Sequence, residues 1–394
     1  YAPLDAEAAY VLGLVQNRTG DPRAAGDSLR RAALAATAGK LDELAARAMV
    51  ELIASLGVYQ THTDDALFWS DVAEAMVVRL GAEGHVLQAK RLVHTGIVRQ
   101  IRGEFAAARE LHERALSLLD RPEQPDVPSL IGALSNLGNT LADLGLPDDA
   151  EACQRRAVAL AEDFFGPDHP QTAVLLNNLG AALADRGRDD EAAALHERAL
   201  AIKERALGPD HLSVGASVRN IAELRLRQGA LAEAHTLLRR ALAIRERTLG
   251  MDHPELTEIL HDLGEIARRE RRFPAAQALF RRALALAAAS DDDHPRVLPM
   301  LLGIAQTSLD TGDPAAAIPL LRDALAIEAR AEAPTRAEVS ARLRLALATA
   351  LWPTPAAHPE ARALALEARA HVAEDERYAA LRREIDTWLM EHPP

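Results

Sequence analysis

LLNNLGAALADRGRDDEAAALHERALAIKERALGPDH, residues 175–211, reads as one helical hairpin with its linker, and the rest of the chain repeats it. Gly180, Ala192 and Ala199 recur 42 positions earlier as Gly138, Ala150 and Ala157, and 42 later as Ala222, Ala234 and Ala241. Self-similarity at a fixed period of this size signals a repeat architecture. Aligned on the alanine that opens the second helix, the units start that helix at Ala25, Ala66, Ala108, Ala150, Ala192, Ala234, Ala276, Ala317 and Ala361. Seven residues on, each unit has a second alanine, from Ala32 to Ala368. Twelve residues before the first alanine, eight units hold Gly13, Ala54, Gly96, Gly138, Gly180, Ala222, Gly264 or Ala305. Two helices approach within about 8 to 10 Å only where side chains are small, so these positions mark the hairpin's contact line. Leu176, Leu179 and Leu183, with Leu195, Leu200 and Ile202, add apolar faces at helical spacing. One hairpin cannot bury both faces, so neighbours stack.

The expected fold is therefore an all-α solenoid rather than a set of globular domains. Its hairpins fall at about 1–39, 40–81, 82–123, 124–165, 166–207, 208–249, 250–291, 292–331 and 332–373, with a capping helix and tail over 374–394. In that last segment Tyr378, Leu381, Ile385, Trp388 and Leu389 form one stripe, suited to covering the open end of the array. Gly20, Gly103, Gly145, Gly187, Gly229 and Gly312 lie between the helices of a hairpin, where a left-handed residue ends the first helix. Between hairpins, GPDHP at 166–170 recurs as GPDHL at 208–212, GMDHP at 250–254 and DDHP at 292–295. Glycine stops one helix there, aspartate is placed to cap the next, and proline suits its first turn.

Composition narrows the function. Aromatic residues are 3% of the chain and the net charge is −13, which argues against general nucleic-acid binding while leaving room for a local arginine stripe. The paired arginines Arg155-Arg156, Arg239-Arg240 and Arg281-Arg282 read as a solvated, salt-bridged outer face, with Glu151 four residues before Arg155. A lone cysteine, Cys153, excludes an internal disulfide and fits a reducing, cytoplasmic setting. It reads as a packed structural thiol, since no histidine base stands near it. No apolar run is long enough to cross a membrane. His169, His211, His253 and His294 recur at the repeat spacing, but a full hairpin separates them, too far to share a metal ion at ~2 Å bonds. No cofactor, metal or catalytic constellation is expected. The chain begins at Tyr1 directly in a helix and reads as a piece of something longer.

The L-G-x-x-L contact line followed by A-x-x-x-H/F resembles the tetratricopeptide repeat. The 42-residue length, NNLG at 177–180 and ALAIKERALGPDH at 199–211 resemble the longer subtype found in kinesin light chains, closely over residues 130–290 and loosely over 5–373. The missing G-P before the eighth unit and Trp352-Pro353-Thr354-Pro355 in the ninth depart from it. Residues 16–36, ELIASLGVYQ and ALFWSDVAEA resemble the repeats that follow the catalytic domain in certain large bacterial serine/threonine protein kinases, although this chain holds no glycine loop, HRD or DFG. The resemblance implies a right-handed superhelix whose first helices line a concave groove that captures peptides. Two places before the contact residue those helices carry Asn136, Asn178, Asn220 and Asp262. Beside them stand Ser135, Asn177, Arg219 and His261, and beyond them Asn139, Glu223, Glu265, Asp143, Asp185, Arg227 and Arg269. An asparagine amide donates to and accepts from a peptide backbone at once, while the charged members would select charge. The same asparagines also serve to stabilise their own hairpins in such repeats, and both roles stay open. Leu14, Leu52, Val58, Tyr59, Ile97 and Ile101 make the groove apolar toward the N-terminus. The expected partner is a protein or extended peptide, not nucleic acid or membrane, with a homodimer and a kinase's regulatory or docking arm as open arrangements.

Overall fold

The computed structural model describes residues 2–60, 62–120, 126–288, 295–331, 335–373 and 378–393. Among these, every regular element is a helix. The first compact unit, Tyr1–Ile202, contains α1 (Ala2–Arg18), α2 (Pro22–Ala38), α3 (Asp42–Ala54), α4 (Thr63–Arg79), α5 (His85–Ile101), α6 (Phe105–Leu119), α7 (Val127–Asp143), α8 (Pro147–Phe165) and α9 (Pro170–Asp185). The unit boundary falls within α10 (Asp189–Leu207). The second, Lys203–Pro394, contains α11 (Leu212–Arg227), α12 (Leu231–Leu249), α13 (Thr257–Arg269), α14 (Phe273–Ala288), α15 (Leu298–Asp310), α16 (Pro314–Arg330), α17 (Ala337–Leu351), α18 (His358–His371) and α19 (Ala379–Glu391).

In each unit the odd-numbered helix packs against the even-numbered one that follows it, and each even-numbered helix packs against the next odd one. The odd helices also touch one another directly, α1 on α3, α3 on α5, α5 on α7 and α7 on α9 in the first unit, and α13 on α15 and α15 on α17 in the second. Within the first unit they form a layer, which carries Asn136, Asn139, Asn177 and Asn178.

The contact line works differently from a simple close approach of small residues. Each contact-line glycine makes a slot for the side chain four residues past the opening alanine of the second helix. A Cβ on Gly180 would lie 2.7 Å from His196 Cε1, one on Gly138 2.7 Å from Gln154 Nε2, one on Gly96 2.5 Å from His112 Cε1, and one on Gly13 2.6 Å from Leu29 Cγ. Phe280 is held between two such glycines, Gly264 and Gly303, and is fully buried. The opening and second alanines are buried without exception from Ala25 to Ala368.

The turn inside a hairpin is closed by backbone geometry. Gly145 adopts φ 73°, and the N–H of Leu146 donates to Leu141 C=O at 2.9 Å, five residues back, the Schellman arrangement. In the α13–α14 turn the same place is taken by Arg271 at φ 59°, with Arg272 N–H donating to Ala267 C=O at 2.8 Å.

The linkers are capped by histidine and not, as the sequence suggests, by the aspartate before it. Nδ1 of His169 accepts from Gln171 N–H at 3.1 Å, that of His211 from Ser213 N–H at 3.1 Å, and that of His253 from Glu255 N–H at 3.2 Å. A neutral imidazole lone pair thus satisfies a donor at each helix start. Asp292–His294 lies outside the described residues. At the C-terminal end, Trp352 stacks on His358 at 3.8 Å and meets Trp388 of α19 edge-on at 5.5 Å, which ties the Trp352–Pro355 departure to the last helix. On α19, Leu381, Ile385 and Trp388 are buried, and residues 374–377 of the expected helix lie outside the described ones.

Two substitutions test this account. Arg271→Gly removes a left-handed non-glycine residue and should raise stability by up to about 1 kcal/mol, read as a higher denaturant midpoint at unchanged m-value. His112 is fully buried with neither ring nitrogen bonded, and burial pushes its pKa down to about 4. It is neutral in the folded chain, whereas the unfolded chain takes up a proton below about 6.5, so its contribution to stability is lost as pH falls from about 6.5 to about 4. Leucine fills the matching slot at Leu29. His112→Leu should therefore stabilise by about 1 to 3 kcal/mol and flatten that part of the pH–stability curve.

Candidate functional site

The positions singled out on the first helices divide into those used inside the fold and those presented to solvent. In the first unit, Asn177 is 7% exposed and its Oδ1 lies 3.1 Å from Nδ1 of His196, so it supports the side chain filling the Gly180 slot. Asn139 is exposed but its Oδ1 accepts from Gln154 Nε2 at 2.8 Å, the same support in the preceding hairpin. Asn136 turns its Nδ2 back on its own helix, to Gly132 C=O at 2.8 Å. Asn178 donates through Nδ2 to Ser135 Oγ at 2.9 Å and so joins α9 to α7. Asn136 and Asn178 are only half-buried.

In the second unit several of the corresponding places are charged. Arg219 on α11 donates through Nη1 to Glu258 Oε2 at 2.5 Å, and its Nε lies 3.6 Å from Asp262 Oδ2 on α13. His261 sits beside Asp262 at 3.4 Å and packs its ring on Phe280 at 5.5 Å. Asn220, half-buried on α11, has no hydrogen-bond partner among the described residues, which leaves both ends of its amide open. Glu223 and Arg227 are exposed on the same helix. Burial works against ionisation of Glu265, but hydrogen bonds and charge from Arg268 and Arg269 prevail and hold its carboxyl below the usual range. The Arg268 contact is 2.8 Å and the Arg269 contact 3.0 Å.

Of the apolar positions expected near the N-terminus, Leu52 is fully buried and belongs to the core. Leu14, Val58 and Ile97 are half-buried, while Tyr59 and Ile101 are exposed. Tyr59 ends a π-helical turn, Ser55–Tyr59, that continues α3. Gly57 in that turn lets α5 come close, since a Cβ there would lie 2.3 Å from Val98 Cγ2.

Arginines on the second helices have a more defined role than a solvated face. Arg198 pairs with Glu162 at 2.7 Å and donates to Pro167 C=O at 3.1 Å. Arg240 does the same with Glu204 at 2.5 Å and Pro209 C=O at 3.4 Å, and Arg282 with Glu246 at 2.8 Å and Met251 C=O at 2.9 Å. Each arginine reaches back to the preceding second helix and its linker. Glu151, 9% exposed, gathers Arg155, Arg186 and Arg188 at 2.7 to 2.8 Å. Helical spacing pairs Arg155 with Glu151, four residues away; the signal for the staples was the 36-residue offset between each arginine and its carboxylate.

Burial pushes the Cys153 thiol up, with Asp149 adding to it, so the group is held as a thiol. Among the described residues no group of histidine, cysteine and carboxylate side chains could hold a metal ion, and no helix is long and apolar enough to cross a membrane.

The family model of the tetratricopeptide repeat matches residues 129–205, 174–247 and 255–329. No curated protein matches the sequence significantly. Among solved structures, the apo form of RapI is 14% identical, with 98% of this chain and 97% of RapI covered at a TM-score of 0.57. BtubC (BKLC) from P. vanneervenii is 21% identical, covering 58% of this chain and 92% of its own, at a TM-score of 0.50. A Podosopora anserina chain described as kinesin light chain with nearly identical TPR-like repeats is 25% identical over 52% of this chain and 98% of its own, at a TM-score of 0.45. The family match identifies tetratricopeptide repeats over residues 129–247 and 255–329, and the chain shares its fold with RapI along nearly the whole length.

Proposed function

We propose that this chain is a non-catalytic scaffold that binds a protein or an extended peptide segment on the exposed face of its first helices. Tetratricopeptide repeats are suited to protein binding and their fold is generally without catalysis, which supports the class of function. The observation that carries the reading is Asn220, an amide with both ends open, set beside the Arg219 ion pairs and the exposed Glu223 and Arg227. An open amide can take the N–H and C=O of an extended chain whatever its side chains are, and the flanking charges then discriminate among ligands. Within the first unit, Asn178 and Asn136 offer the same kind of group, each with its Oδ1 left to accept after its Nδ2 has been used. Asn177 and Asn139 act from behind, holding the slot-filling His196 and Gln154. The alternative of a regulatory, substrate-docking or dimerisation arm of a bacterial serine/threonine kinase rests on the resemblance of the N-terminal hairpins alone.

A random peptide array probed with the purified chain provides ligands for the test. With the best of them, Asn220→Ala should weaken binding about tenfold at an unchanged melting temperature, because that amide makes no bond within the fold. Asn177→Ala should instead lower stability by about 1 kcal/mol, since the Asn177 Oδ1 contact to His196 is lost. Array ligands that bind Asn220→Ala as tightly as the parent would remove the assignment.

A further inference from the structure

We propose that Ala8, Leu12 and Val15 of α1, with Arg31 of α2, form a stacking site for an amphipathic helix of a partner protein that carries a carboxylate in its last turn. This goes beyond the peptide-binding reading, because the face is the one by which hairpins join and not the solvent edge that carries Asn220.

Three places on a first helix lie five residues before the contact residue, one before it and two after it. In every first helix from α3 to α15, with the π-helical turn counted as part of α3, all three side chains are buried, as Ala133, Leu137 and Thr140 are on α7. The preceding hairpin buries them. Arg91, at the first place on α5, pairs with Glu74 of α4 at 3.0 Å, and Thr95, at the second, lies 2.7 Å from Ser70 of the same helix. Thr140, at the third place on α7, donates to Gln100 Oε1 of α5 at 3.3 Å. In the second unit Lys203 of α10 donates to Ser217 Oγ, at the first place on α11, at 3.0 Å.

On α1 the same places hold Ala8, Leu12 and Val15, and all three are exposed, Leu12 at 44% and Val15 at 49%. Leu4 and Val11 beside them are exposed as well. A contiguous apolar stripe of this kind, at places that every later first helix covers with a helix, is a surface built for stacking.

Arg31 fixes the charge of the helix that covers it. It stands six residues past the opening alanine, where Arg156, Arg198, Arg240 and Arg282 each reach a carboxylate 36 residues back, near the C-terminal end of the preceding second helix. Arg114, with Val78 at that distance, makes no such pair among the described residues. Arg31 is exposed and makes no ion pair among the described residues. A second copy of the chain offers no second helix for this role. Its Glu162, Glu204 and Glu246 are held by the arginines of the following hairpins, and α18 is covered by α19, with Arg369 on Asp386 at 2.7 Å.

The internal counterpart of the site is α7, whose Ala133, Leu137 and Thr140 differ from Ala8, Leu12 and Val15 only by threonine in place of a valine of the same shape. The helix that covers α7 is α6, which packs Leu116 on the cluster of Leu137 and Leu141 and is followed by Asp120, bound by Arg156 at 2.9 Å. The partner helix shares that pattern, alanine and leucine at helical spacing with aspartate or glutamate at the end.

The probe is a labelled, amidated peptide of residues 104–120, held helical by a lactam between Glu113 and the lysine of Ser117→Lys, two places on the exposed side of α6. Its helicity is checked by circular dichroism and its binding to the full chain by fluorescence anisotropy. Leu12→Glu with Val15→Glu should weaken binding at least tenfold at an unchanged melting temperature, since both side chains already face water. Arg31→Glu should weaken it about fivefold, and Asp120→Arg in the peptide should restore affinity for that variant. A helical peptide that does not bind, binding indifferent to the Leu12 and Val15 pair, or a charge exchange that restores nothing overturns the inference. A chain that sediments as a dimer, and as a monomer once Leu12→Glu is made, would give the face to a second copy and overturn it too. Array ligands that depend on Asn220 should bind all these variants equally, so the scaffold reading is decided by its own test.

Discussion

Everything else in the fold depends on one steric fit, the entry of a second-helix side chain into the slot left by a missing side chain on the first helix. His196 fills the slot at Gly180, Gln154 that at Gly138, and Phe280 that between Gly264 and Gly303. The fit fixes the rotation of both helices about their axes, because a turn of either would put a Cβ where a ring now lies. Once that rotation is fixed, the faces of the first helix are assigned. One side faces the slot, the opposite flank meets the neighbouring hairpin, and only the remaining edge is left for solvent. The chemistry available to a ligand is whatever the sequence places on that edge.

Stacking then needs devices that recognise the next hairpin. Alanine and leucine cores bury area without direction, so register between hairpins must come from polar contacts. The staples of Arg198 to Glu162, Arg240 to Glu204 and Arg282 to Glu246 supply it on the second helices. Each also binds a linker carbonyl, so the arginine reads the position of the preceding turn as well as that of the helix. Such exposed ion pairs contribute little individually to stability. Their repetition at one offset is what makes them a ruler for repeat spacing.

Much of this was legible in the sequence because the repeat period multiplies each signal. Nine alanines at one position and eight small residues at another exposed the hairpins, and the glycines between helices gave the left-handed turns. Reading stopped where two residue types could do the same task. In the GPDH linker either aspartate or histidine can cap a helix, and the structure uses the imidazole of His169, His211 and His253. The asparagine ladder was legible as a pattern but not in its division of labour. Asn177 and Asn178 are adjacent in sequence and differ by 100° about the helix, which is enough to turn one toward His196 and the other toward Ser135. The loss of the ladder at Gly303 also has a cause invisible to a single repeat, since Phe280 of the preceding hairpin occupies the space of a side chain there.

The same geometry separates positions that can change freely from those that cannot. A residue beside the slot answers to its own hairpin, as Asn177 does to His196, and one between first helices answers to its neighbour, as Asn178 does to Ser135. The helix-end position is exposed and variable, and there the chain runs through Arg18, Tyr59, Ile101, Asp143 and Asp185 in one unit and Arg227, Arg269 and Asp310 in the other. The steric demands that hold the alanines constant do not act on that row. Diversity at a single register position is thus compatible with an otherwise repetitive chain, because the slots and staples behind it keep that edge in a fixed register.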